Sequence, residues 1–91
     1  MQVVVVKKDG RREGFSPEKI VVSCMKAGAP LEVARKITRL VECDLLSRGV
    51  TEVTTKELMR NVLSLLRREN EEWYQNWVIF DRAVKKRKLE D

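Results

Sequence analysis

The chain opens on four apolar residues, Val3 to Val6, followed by the charged knot KKDGRR and then by Glu13, Gly14 and Phe15. β-Branched content predicts a strand over residues 2–7 and a partner strand over 11–15. Asp9-Gly10 between them is a strong hairpin signal, because a two-residue type I′ loop needs positive φ at both central positions. Such a loop sets Lys8 opposite Arg11, Lys7 opposite Arg12, Val6 opposite Glu13 and Val4 opposite Phe15. Paired residues share a face, so both faces of the tip are expected to be basic.

From Ser16 onward the apolar period changes from two to about 3.6. Ser16-Pro17 opens a first helix, with Ser16 as N-cap accepting an orphan backbone N–H and Pro17 at N1. Ile20, Val21, Cys24 and Met25 give it one apolar face up to Ala27, and Gly28 ends it. A second helix starts with Pro30 at N1. Ala34, Ile37, Val41 and Leu45 form its stripe, broadened by Val33 and Leu40, and Gly49 closes it. Val50 to Val53 add a short third strand. Thr54 and Glu57 have capping-box spacing at the start of a third helix that carries Leu58, Val62, Leu65 and Leu66 on one face. Asn70 caps a fourth, with Trp73, Trp77, Phe80 and Val84 along one side and KKRK, residues 85–88, in its last turn. The pattern predicts an α+β fold in which an N-terminal β-hairpin, or a small three-stranded sheet, caps a four-helix bundle. The domain is expected over residues 1–84, with a basic tail over 85–91.

Composition narrows the function classes. Ninety-one residues make one domain burying roughly 60–65% of its unfolded surface. No apolar run approaches the ~18 residues of a membrane helix, so the cytoplasm is the expected location. Cys24 and Cys43 are the only cysteines and histidine is absent. A four-ligand Cys/His zinc site and Ser-His or Cys-His nucleophile pairs are thereby excluded within the chain. Both cysteines sit in helical apolar patterns and are expected to be reduced and buried. No enzymatic activity is expected. The net charge of +5 points to an anionic partner, with KKDGRR and KKRK as its strongest concentrations.

Neither GxxxxGK[ST] nor GxGxxG is present, so side chains must hold any phosphate. Lys7, Lys8, Arg11 and Arg12 offer four cations on a stiff hairpin, the N-terminus of the first helix adds backbone donors, and Lys19 lies on that helix's first turn. Three charge-assisted bonds, at roughly 1.5–3 kcal/mol each, supply about 5–9 kcal/mol, against an association cost of about 4–15 kcal/mol. Phosphate contacts alone therefore bind weakly, and a base must be recognised as well. Glu13 can accept from an exocyclic amine, Ser16 can add a polar contact, and Phe15 or the valines, Val5 among them, can form an apolar wall. On the residues alone three readings of the knot stay open: a solvated hairpin tip, a site for a nucleotide or other small polyanion, and a nucleic-acid surface using the hairpin together with KKRK.

The stretch VVKKDGRREGFSPEKI resembles the opening of the ATP-cone, a nucleotide-sensing domain of many ribonucleotide reductases and of their zinc-ribbon transcriptional repressor. The resemblance is carried by Val5, Lys7, Lys8, Asp9, Gly10, Arg11, Glu13, Phe15, Lys19 and Ile20. It continues in GVTEVTTKEL and in WVIFDRAVKK, so nearly the whole chain is covered. It implies ATP or dATP bound under a small sheet that caps four helices, with Mg²⁺ able to accompany the triphosphate. It further implies that Lys7 and Lys8 reach phosphates with help from Lys19, that Glu13, Ser16 and Thr55 hold base or sugar, and that a cation of the last helix, Lys85 or Arg82, joins the phosphates. Arg12 is added from hairpin geometry. Family members often carry Asn or Asp where Ser16 stands. The expected function is that of an adenine-nucleotide sensor, freestanding or cut from a longer chain, that modulates homo-oligomerisation or a partner protein. The alternative is a small nucleic-acid-binding protein.

Overall fold

The computed structural model describes residues 2–81. In chain order these form β1 (Val4–Val6), β2 (Arg12–Gly14), α1 (Pro17–Lys26), α2 (Leu31–Ser47), β3 (Glu52–Thr54), α3 (Thr55–Glu69) and α4 (Glu71–Phe80). The expected hairpin gains a third strand: the sheet order is β2-β1-β3, with β2 antiparallel and β3 parallel to the central β1. The parallel pairing is possible because α1 and α2 supply the long crossover that such a pair requires.

The hairpin register differs from the expected one. Val4 pairs with Gly14, Val5 with Glu13 and Val6 with Arg12, and the Lys7 N–H donates to the Arg11 carbonyl at 2.7 Å. The loop thus has three residues, Lys8, Asp9 and Gly10. The Gly10 N–H donates to the Lys7 carbonyl at 2.9 Å, and Gly10 alone takes the positive φ, +90°. The Asp9 carboxylate accepts from the Arg11 backbone N–H at 3.1 Å, a local bond that Asx turns favour and that steadies the longer loop. Because strand side chains alternate, this slip of one changes which residues share a face. Lys7 and Glu13 now fall on the same side as buried Val3 and Val5. Arg12 falls on the opposite side with Val4 and Val6. There it pairs with Glu52 of β3, so the ion pair crosses over the central strand.

Local end signals place most helices. Thr54 caps α3 by accepting from the Glu57 N–H at 3.1 Å. Asn70 caps α4 by accepting from the N–H groups of Glu72 and Trp73 at 2.8 and 3.2 Å. Ser16 stands at the N-cap of α1 with extended backbone, but its side chain makes no capping bond. Pro30 is the N-cap of α2 and not its first helical residue.

The core lies between the inner sheet face and the helices. Val5 and Val53 meet Ile20 and Cys24 of α1, Ile37, Val41 and Leu45 of α2, and Val62 and Leu66 of α3. Leu40 and Phe80, expected on apolar stripes, are 44% and 48% exposed. Cys24 is buried as expected, whereas Cys43 is exposed, because it falls on the outer side of α2 beyond the stripe of Ile37, Val41 and Leu45. No residue of α4 from Glu71 to Phe80 is fully buried; the helix rests on the core through half-buried Trp73, Tyr74 and Trp77. Val84 and the KKRK stretch lie outside the described residues.

Candidate functional site

A cleft of about 170 Å³ opens between the inner edge of the hairpin and the first turns of α1 and α3. β1 contributes Val5, Lys7 directly follows that strand, β2 contributes Glu13 and Gly14, and the loop before α1 contributes Ser16. α1 adds Lys19, Ile20 and Ser23, and α3 adds Thr55, Leu58, Met59 and Val62. Trp77 of α4 completes the wall. Cations and a carboxylate thus sit at the rim of an apolar floor, the division of labour expected of a site that must hold both a charged and a flat apolar portion of one ligand.

Electrostatics at the rim centre on Glu13. Its Oε1 lies 3.2 Å from Lys7 Nζ and 3.4 Å from Lys19 Nζ. The hydrogen bond from Lys7, followed by the charge of Lys7 and the bond from Lys19, holds the carboxyl below its ordinary value and outweighs desolvation. The first turns of both α1 and α3 face the cleft through Ser16, Lys19 and Thr55. The dipoles of both helices add a field favourable to an anion. The Thr55 hydroxyl donates to the Val6 carbonyl at 3.4 Å, tying the start of α3 to β1.

Six of the residues singled out from the sequence therefore meet in one place: Val5, Lys7, Glu13, Ser16, Lys19 and Thr55. Lys8, Arg11, Arg12 and Phe15 do not line the cleft. Arg11 is held by Asp9 at 2.7 Å, Arg12 is held by Glu52 on the far face, and Phe15 packs against the core. Lys85 and Arg82 lie outside the described residues. Ser23, Leu58 and Met59 line the cleft and were not anticipated. A signal for two of them was available, since Ser23 is one turn beyond Lys19 and Met59 one turn beyond Thr55, on the same helix faces. Trp77, placed from the sequence only along one side of the fourth helix, is a wall of the cleft.

Among the described residues no group of three or more His, Cys, Asp or Glu side chains can hold a metal ion. A cation accompanying a polyphosphate here would have to be held chiefly by the phosphate oxygens.

A three-stranded cap over helices, with a cation-rimmed cleft beneath it, defines a small α+β domain with a candidate anion-binding site. The family model of the ATP cone domain matches residues 3–86, and the chain belongs to that family of nucleotide-sensing regulatory domains. It is also similar to the transcriptional repressor NrdR of Staphylococcus aureus strain JH9, with 44% identity over 69 residues, covering 71% of this chain and 44% of the relative. The repressors of strains Newman and JH1 match to the same extent. The chain thus spans less than half the length of the curated relatives it matches.

Proposed function

We propose that the cleft binds the adenine nucleotides ATP or dATP, and that occupancy biases self-association or the binding of a partner protein, without chemistry on the ligand. The observation that carries this reading is the convergence of Lys7, Lys19, Glu13, Ser16 and Thr55, from the hairpin, the start of α1 and the start of α3, on one apolar-floored cleft. Lys7, with Lys8 at the adjoining turn, takes phosphate oxygens, helped by Lys19 and the first turns of α1 and α3. Glu13 accepts from the exocyclic amine. Ser16 and Thr55 supply polar contacts to base or sugar, and Val5, Leu58 and Trp77 cover the ring faces. Mg²⁺ travels with the phosphates, and the location is the cytoplasm.

Support for a regulatory role comes from α1 and α4. They flank the cleft and expose Val22, Met25, Ile79 and Phe80, apolar surface on the elements that a ligand touching Ser23 and Trp77 would shift. For the nucleic-acid alternative, two hairpin cations, Arg11 and Arg12, are engaged with Asp9 and Glu52, which weakens the tip as a phosphate-tracking surface.

Calorimetric titration with ATP, dATP and ADP tests the reading, with Lys7→Ala as control. Heat with the wild type and a weakened isotherm in the variant are expected. No heat from any of the three up to about a millimolar, an affinity near 4 kcal/mol, would sink it. Light scattering with and without nucleotide separates a responsive oligomer from a fixed one.

A further inference from the structure

Building on that reading, we propose that Glu13 is the built-in counter-ion of Lys7 and Lys19, and that it makes the site reject bare polyphosphate in favour of ligands carrying both phosphate and a hydrogen-bond donor. Both lysines of the cleft converge on one oxygen of this carboxylate, Lys7 at 3.2 Å and Lys19 at 3.4 Å. Lys7 directly follows β1, Glu13 lies on β2 and Lys19 on α1, so the hairpin register and the entry of α1 together form the cluster. Among the described residues that line the cleft, Glu13 is the one acidic side chain. Its side chain is 40% exposed, so an entering ligand can reach it.

The consequence follows from charge balance. The lysines are already partly neutralised by a carboxylate tethered beside them, at a high effective concentration that a dissolved anion must outcompete. A polyanion that captures the lysines strips Glu13 of its partners and leaves two like-charged groups side by side, at a surface-like dielectric where such a pair still repels appreciably. Inorganic tripolyphosphate offers Glu13 nothing in exchange. An amino-bearing base linked to the phosphates does, because its N–H replaces the lysine donors that Glu13 gave up. Binding is then an exchange of partners on both sides, open only to a ligand with both chemistries.

The test is calorimetry at about 0.15 M salt, where long-range attraction is screened, with inorganic tripolyphosphate and ATP as separate ligands. The proteins are the wild type, Glu13→Gln, and Glu13→Thr as a β-branched second variant suited to a strand, each checked for folding by circular dichroism. A folded variant should bind tripolyphosphate more tightly than the wild type by on the order of fivefold or more, while its ATP affinity does not rise. A smaller gain, an equal gain for ATP, or no tripolyphosphate binding by any of the proteins would overturn the counter-ion role. Wild-type protein that binds no ATP would instead overturn the nucleotide reading, so the two failures are told apart.

Discussion

Asn76 of α4 donates from Nδ2 to the backbone carbonyl of Ala27, at the end of α1, across 2.9 Å and 49 positions of sequence. With no fully buried residue between Glu71 and Phe80, α4 depends on this latch more than a deeply packed helix would. Trp77, one residue on, is the part of α4 that walls the cleft. Asn76→Ala removes one net hydrogen bond, about 0.5–1.5 kcal/mol, and is expected to lower Tm by several degrees. Tryptophan emission should shift to the red before the melt, because Trp73 and Trp77 lose contact first. Unchanged emission and Tm would show that the latch carries no weight.

Gly28 is the more severe position. It ends α1 at φ +120°, and a Cβ placed there would lie 2.8 Å from Trp73 Cδ1. Gly28→Ala therefore combines backbone strain with a clash against a ring that anchors α4. A loss above about 1 kcal/mol is expected, read as a Tm decrease of at least about 4–8 °C. Gly10→Ala, at φ +90° in open space, meets only the backbone part of that penalty and should cost less.

The two faces of the hairpin predict a contrast between cations. Lys19→Ala removes a donor from the cleft and is expected to weaken ATP by roughly 10-fold or more, the equivalent of one charge-assisted bond. Arg12→Ala removes a cation engaged with Glu52 on the far face and should leave the affinity within about twofold, since a distant surface charge is largely screened. Equal losses in parallel titrations would mean that the tip acts as an undifferentiated cation cluster.

Acid should weaken the fold partly through Glu13. Its pKa is held below 4.5, first by the hydrogen bond from Lys7. A carboxyl whose folded pKa is depressed contributes stability above its ordinary value, and that contribution is lost as pH falls through the folded one. Urea midpoints measured from pH 6 downward, a range beginning about a unit and a half above the ordinary value, should fall below about pH 4.5. The fall should be shallower for Glu13→Gln. Asp9, lowered chiefly by the Arg11 backbone N–H, and Glu71, lowered first by Gln75, keep part of the slope in that variant.

The cysteines should separate by reactivity. Desolvation pushes the Cys24 thiol up to about 11, while Cys43 is exposed. In native protein near pH 8, one thiol per chain should react rapidly with an aromatic disulfide reagent and the second only on unfolding. The raised Cys24 value gives the opposite pH sense to Glu13: its contribution is complete below about 9 and is lost as pH rises toward 11. Two fast thiols would contradict the burial of Cys24.

Much of the architecture was legible because its causes are local. Pro17 marks a helix start through its preset φ and lack of a donor, Thr54 and Asn70 mark theirs through bonds to residues within three positions, and Gly28 and Gly49 mark ends through a backbone conformation glycine adopts freely. The stripe of Ala34, Ile37, Val41 and Leu45 is buried because a 3.6-residue period leaves one face to bury. The limits of Leu40 and Phe80 were not legible, since a stripe's width depends on which helix lies against it. The same holds for Cys43, whose exposure depends on what α2 faces.

What the sequence determined by itself was the set of side chains on which the proposed nucleotide site draws: Lys7, Glu13, Ser16 and Lys19, spaced along a hairpin and a helix start, with Thr55 at another helix start. What only the tertiary structure decided was which of them meet. A three-residue loop replaced the two-residue one, and that single step of register brought Glu13 onto the face of Lys7 and carried Arg12 to the face of Glu52. A parallel pairing of β1 with β3 then set Thr55 beside Val6 and pointed the first turn of α3 into the cleft. The loop length rests on a local bond, from the Arg11 N–H to Asp9, that a two-residue reading of Asp9-Gly10 passes over, whereas the energy of the β1–β3 pairing lies in contacts between distant segments that no local propensity encodes.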